Sequence, residues 1–167
     1  MLVKEILERV ELSKKFKTWK KTDYYLAYMF TSNKEEWQVG YYNKKNEKMT
    51  SFQVSKTVTK LPESEVFKEK KTVKNLDLKK VNIDFKEAVN KCKKEHENLN
   101  PMGVILKQIV ILQHLKQGQV WNITLFTTTM NTTNIKLDSS TGKIISKETF
   151  GLGDLLTIDK EKTPIAK

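Results

Sequence analysis

The chain is expected to fold as an α+β protein made of tandem helix-plus-antiparallel-sheet units, and three observations carry that expectation. Residues 84–148 read as one amphipathic helix followed by an antiparallel meander. A fainter copy of the same order fills residues 3–55. The apolar residues come in periodic runs, and at 38% hydrophobic against 31% charged the chain separates from highly charged disordered sequences. With 167 residues it can bury roughly 70% of its unfolded surface, enough for a true core.

Leu2, Val3, Ile6, Leu7 and Val10 recur at helical spacing with charges opposite, so the N-terminus begins as an amphipathic helix, extending toward Phe16 and Trp19. Thr22 and Asp23 precede the aromatic-rich run Tyr24–Phe30, whose composition favours a strand. Ser32-Asn33-Lys34 makes the turn. Trp37, Val39 and Tyr41 share one face of the next strand, and Asn43–Asn46 separates it from Met49–Val54. Residues 57–82 are lysine-rich and contain Pro62, yet Val66, Phe67, Val73, Leu76, Leu78 and Val81 are too regular for a floppy tether; the segment reads as a structured connection with short extended pieces.

Asp84 and Glu87 supply both halves of a capping box for the second helix. Phe85, Ala88, Val89, Cys92 and His96 fall on one stripe, and Asn98, Asn100 and Pro101 stop it. Val104–Leu115 is rich in β-branched residues and apolar on both faces, which predicts a central or doubly covered strand. Gln117-Gly118 turns the chain into Val120–Thr128, with Trp121, Ile123 and Leu125 on one face. Asn131–Leu137 follows, then the turn Asp138–Gly142 and a last strand from Lys143. Phe150, Leu152, Leu155, Leu156 and Ile158 suffice to dock the tail on the body, whereas 159–167 is expected to fray. The expected organisation is a first unit over 1–56, the connection 57–82, a second unit over 83–158 and the tail.

The net charge of +11 would attract anionic partners, but apart from Arg9 every basic residue is lysine, scattered among glutamates. Base-edge readout and bidentate phosphate binding favour guanidinium, so composition argues against nucleic acid as partner. Cys92 is alone, which excludes an internal disulfide and a cysteine metal site. No uninterrupted apolar stretch marks a signal peptide or a bilayer span, and a cytoplasmic location follows as the expectation, with no membrane partner. Asn122-Ile-Thr124 and Asn131-Thr-Thr133 match glycosylation acceptors, which matter only in a secreted chain. Gly151-Leu-Gly153 lacks the third glycine and the strand-to-helix setting of a nucleotide fingerprint.

Ile83-Asp84-Phe85, the Glu87-Ala88 pair, the apolar strand, Val120–Leu125 and above all Ile135–Ile145, with Asp138, Thr141 and Gly142 in its turn, resemble a PepSY domain. The resemblance covers about 83–148, and residues 3–55 match it in outline as a diverged repeat. It implies a helix packed on an antiparallel sheet and a non-catalytic module that binds or inhibits partners, without cofactor. It speaks to fold more than to activity.

Among candidate sites, Tyr24, Tyr28, Trp37, Tyr41 and Trp121 are aromatics able to line a groove or stack on a ligand, but one face of each strand must cover its helix and Trp37 and Trp121 hold equivalent places in the two units, so core packing is the better account of them. His114 borders the core on the side of Val110 and Leu112. His96 and Cys92 lie on the helix stripe and read as core. No catalytic or metal-ligating set emerges. The expectation is a non-enzymatic binding or protein-interaction module for an unknown protein or small ligand, with homodimerisation through a strand edge open to it. The alternatives are a cystatin-like or ketosteroid-isomerase-like pocket, for a small molecule or an enzymatic reaction, and weak non-specific nucleic-acid binding.

Overall fold

A computed structural model describes residues 2–19, 22–32, 36–65 and 73–151. Helix α1 covers Val3–Leu12 and buries Val3, Ile6 and Val10. It ends at Ser13, which adopts an extended backbone and restarts the chain as the short helix α2, Lys14–Thr18, by accepting the Phe16 N–H on its side chain. One continuous helix to Trp19 was expected; the serine breaks it. The break turns Phe16 inward, where its ring meets Trp19, Tyr41 and Phe52.

Strands β1 (Tyr24–Thr31), β2 (Trp37–Asn43), β3 (Lys48–Val54) and β4 (Val58–Lys60) form an antiparallel meander, with the two-residue β5 (Ser64–Glu65) also on β3. After the connection, with its 3-10 turn Leu78–Lys80, helix α3 runs Phe85–Leu99, capped by Asp84 accepting the Glu87 N–H at 2.8 Å. A second meander follows: β6 (Ile105–Leu115), β7 (Gly118–Thr127), β8 (Thr132–Asp138) and β9 (Ile144–Phe150). The strand order is β4-β3-β2-β1-β6-β7-β8-β9, so all nine described strands form one antiparallel sheet. This is an α+β architecture in the coarse sense expected. Outward from the β1–β6 seam, the order reads the same in both directions.

Alternation sorts each strand into two faces. Met29, Val39, Phe52, Val110, Leu112, Trp121, Ile123, Ile135 and Leu137 are fully or nearly fully buried, in one cluster with the apolar residues of all three helices. Phe85 opens α3 between Trp37 and Trp121, its ring centroid 5.1 and 6.2 Å from theirs, and so ties the two meanders together. The other face carries Tyr28, Phe30, Gln38, Ile111, Asn122, Thr124 and Asn134, all half-buried. Of the two readings expected for β6, central or doubly covered, the first holds. The strand is central, but Ile109 and Ile111 are only half-buried on this second face.

A bulge between Leu26 and Tyr28 marks where β1 diverges from β6. Beyond it the connection takes the vacated edge: Leu76 donates its N–H to Leu26 O at 2.8 Å and the Tyr25 hydroxyl donates to Val73 O at 2.8 Å. Leu76, Leu78 and Val81 thereby join the core. The readings of Asn33-Lys34, of Val66 and Phe67 and of the tail from Leu152 fall outside the described residues.

Candidate functional site

Where the connection passes the ends of β6, β7 and β8, the chain leaves a polar cleft of about 600 Å³. Asn75, Asp77, Lys80 and Asn82 line it from the connection, His114, Gly118 and Gln119 from the β6–β7 turn, and Asp138, Ser139 and Ser140 from the β8–β9 turn. Its walls are built by backbone recognition. The Gln119 amide pairs with both backbone groups of one residue of the connection, its Oε1 accepting the Asp77 N–H and its Nε2 donating to Asp77 O at 3.0 Å. His114 Nδ1 lies 2.8 Å from Asn75 O, and because a carbonyl only accepts, this nitrogen carries the proton.

The β8–β9 turn is held by its own aspartate. Asp138 accepts from Ser140 N at 2.9 Å and from Thr141 N and Oγ1 at 2.7 and 2.9 Å. These bonds, the Thr141 amide first, hold its carboxyl below the usual range. Gly142 closes the turn at φ +73°, with Lys91 and Ile83 where a Cβ would go. Ser139 O accepts from both Asn82 N and Ile83 N at 3.0 Å, and its own N–H reaches Gln119 O. The Ser139 hydroxyl is fully buried at the cleft wall without a hydrogen-bond partner among the described residues.

Of the aromatics singled out from sequence, only Tyr28 lies on the second face; the others pack on the core side. Trp37 and Trp121 are 2% and 0% exposed, and the Trp121 indole N–H donates to Ile83 O at 2.9 Å. Tyr41 is buried, which pushes its phenol well above the ordinary value, with Glu11 adding to the effect. Tyr24 is half-buried, edge-on to Trp19, with its hydroxyl donating to Glu63 at 3.0 Å. That bond, first, holds the Glu63 carboxyl down. Tyr28 covers Gly40, where any Cβ would fall inside its ring, and its hydroxyl sits 2.9 Å from Ser51 Oγ while accepting from Gln38 at 2.7 Å. His114 alone of the six reaches the cleft.

Asp77, Asn82, Gln119 and Ser139 were missed. The turn Asp138–Gly142 was visible as a fold motif, but nothing local in the sequence says that the connection passes beside it.

The remaining reactive groups are engaged in structure. His96 is buried on α3, with Nε2 3.1 Å from Gly103 O and Nδ1 2.9 Å from Thr133 Oγ1, so Nε2 donates and Nδ1 accepts the threonine hydroxyl. Burial pushes the Cys92 thiol up to about 12, far from a reactive thiolate. Among the described residues no group of three potential metal ligands converges, and no helix is long and apolar enough to cross a membrane.

No family model matches the chain, and no curated protein does. Among solved structures it is similar to a "putative lipoprotein" from Clostridium difficile 630, at 13% identity over 90% of this chain and 93% of that one, with a TM-score of 0.60. At that identity the likeness is one of fold.

Proposed function

We propose that the protein is a non-catalytic binding module of two PepSY-like units, which takes a polar peptide segment or small ligand in the cleft beside Asp77, Gln119 and Asp138. The observation that carries this reading is the buried Ser139 hydroxyl, unpartnered among the described residues, in a cleft whose other groups offer amides, carboxylates and the Lys80 ammonium. A buried hydroxyl without a partner costs free energy that a ligand hydrogen bond recovers. The volume suits a small ligand or the end of a peptide.

The two-unit reading draws on topology. Each helix precedes a meander, both lie on one face of the sheet, and Arg9 of α1 and Lys91 of α3 each reach a carbonyl of the turn before the outermost strand of their meander, Ser55 O at 2.7 Å and Gly142 O at 3.5 Å. The PepSY resemblance supplies the non-catalytic character, and the engagement of His96 and Asp138 in structural hydrogen bonds and the burial of Cys92 agree with it. The cytoplasmic expectation stands beside a second placement, suggested by the fold likeness to a protein described as a lipoprotein, in which the module works at the cell envelope.

The test is binding to an array of short peptides and small polar compounds. The wild type should retain a restricted set, and the charge reversal Lys80→Glu should release it while leaving the circular-dichroism melt unchanged. Turnover in a broad substrate screen, or retention indifferent to Lys80→Glu, would overturn the reading.

A further inference from the structure

The polar cleft carries a charge balance opposite to that of the chain around it. The protein has a net charge of +11, yet two carboxylates, Asp77 and Asp138, line the cleft against one ammonium, Lys80. Each carboxylate is held by its own turn through one oxygen. Asp77 Oδ1 accepts the Lys79 N–H at 3.0 Å, and Asp138 Oδ1 takes the bonds from Ser140 N, Thr141 N and Thr141 Oγ1. The second oxygen of each has no hydrogen-bond or ion-pair partner among the described residues, and neither has the Lys80 ammonium. Both signs of charge are thus present in one recess without neutralising each other.

A fourth group points the same way and is independent of the charges. The Ser139 side chain, next in the chain to Asp138, is 0% exposed and its hydroxyl is without a partner among the described residues, at the wall of the same cleft. The chemistry of an occupant follows by elimination. An inorganic anion meets two carboxylates, a simple cation meets Lys80, and an apolar compound leaves every charge desolvated and unanswered. A molecule that bears an ammonium and a carboxylate together answers both signs with charge-assisted hydrogen bonds. About 600 Å³ holds an amino acid or a dipeptide with room to spare.

We propose that the cleft binds a dipolar α-ammonium carboxylate, a free amino acid or a short peptide, with its ammonium on Asp138, its carboxylate on Lys80 and a hydrogen bond to the Ser139 hydroxyl. Asp77 adds to the negative potential around the ammonium. The inference rests on the cleft reading above and narrows it to one ligand class.

Isothermal titration of the full chain tests it, with the common α-amino acids and the dipeptide alanylalanine as probes. At least one should bind with a Kd below about 1 mM, and the preference between amino acid and dipeptide identifies the source of the ligand. The N-acetyl derivative of that probe lacks the ammonium and its amide lacks the carboxylate, so each should bind about tenfold more weakly or worse. Ser139→Ala removes a hydroxyl that has no partner in the free protein; it should leave the thermal melt unchanged or slightly raised and weaken the probe about tenfold. Asp138→Asn retains an acceptor for the turn and should erase the preference for the free ammonium over its acetylated form. Blocked derivatives that bind as tightly as the parent, no dipolar probe binding below about 1 mM, or Ser139→Ala without effect on binding would overturn the proposal. Blocked derivatives that bind and are released by Lys80→Glu would overturn it while leaving the cleft reading in place, whereas indifference of every compound to Lys80→Glu would remove both.

Discussion

Single side chains here do structural work that their chemistry does not advertise. Trp121 is fully buried, packs on Phe85 and gives its indole proton to Ile83 O. Trp121→Ala should therefore cost about 3–5 kcal/mol in a urea titration; a loss under about 1 kcal/mol would indicate a surface residue. Asp138 is a staple of its turn. Its carboxyl titrates below the ordinary value of 3.8, so the native state favours the ionised form. Its stabilising contribution is full above that value and disappears as pH falls through the lowered one. The melting temperature of Asp138→Asn should thus lie below that of the wild type near neutrality, with the gap closing toward strong acid. A constant gap from pH 7 to the acid limit would contradict the staple. Of the residues chosen from sequence, Trp37, Tyr41 and Trp121 are core, the preferred of their two readings; the second stayed open because an aromatic on an alternating strand looks alike whether its face meets helix or water.

At the scale of elements, local signals located the strands well and the breaks less well. Asp84 caps α3 by accepting the Glu87 N–H, one half of the expected capping box, while the Glu87 carboxylate lies 3.5 Å from Lys91 Nζ; Asp84→Ala should lower stability by about 1 kcal/mol, measured by thermal unfolding. Ser13 also caps, but it sits inside a stretch whose apolar period continues past it. The helix ends there because Phe16 must turn onto Tyr41 and Phe52. Val104–Leu115 was legible as the central strand from its β-branched density. Its half-open second face was not, because apolarity on both faces describes a residue pattern and says nothing of what packs there. The bulge in β1 had no sequence signal, yet it frees Leu26 O for the connection.

The whole molecule behaves as one sheet because β1 and β6 pair edge to edge and Phe85 wedges between the tryptophans of both meanders. Unfolding should accordingly be a single transition, with tryptophan fluorescence and far-ultraviolet circular dichroism coinciding. Phe85→Ala should lower its midpoint by an amount equivalent to about 3–5 kcal/mol, and two separated transitions in the wild type would show that the halves are independent. The cleft belongs to this scale as well. Its walls come from three parts of the chain, and only their assembly places the Gln119 amide on Asp77 and the Ser139 hydroxyl at the cleft wall.

Periodicity in the chain determined the helices, most strand positions and the repeated order of helix and meander, since a buried face is written into every second or every third and fourth residue. Which face stays open, how the two meanders share a seam, and which polar groups meet in the cleft were decided by tertiary packing. Those outcomes depend on contacts between residues far apart in sequence, and no local pattern encodes the distance between Asp77 and Gln119.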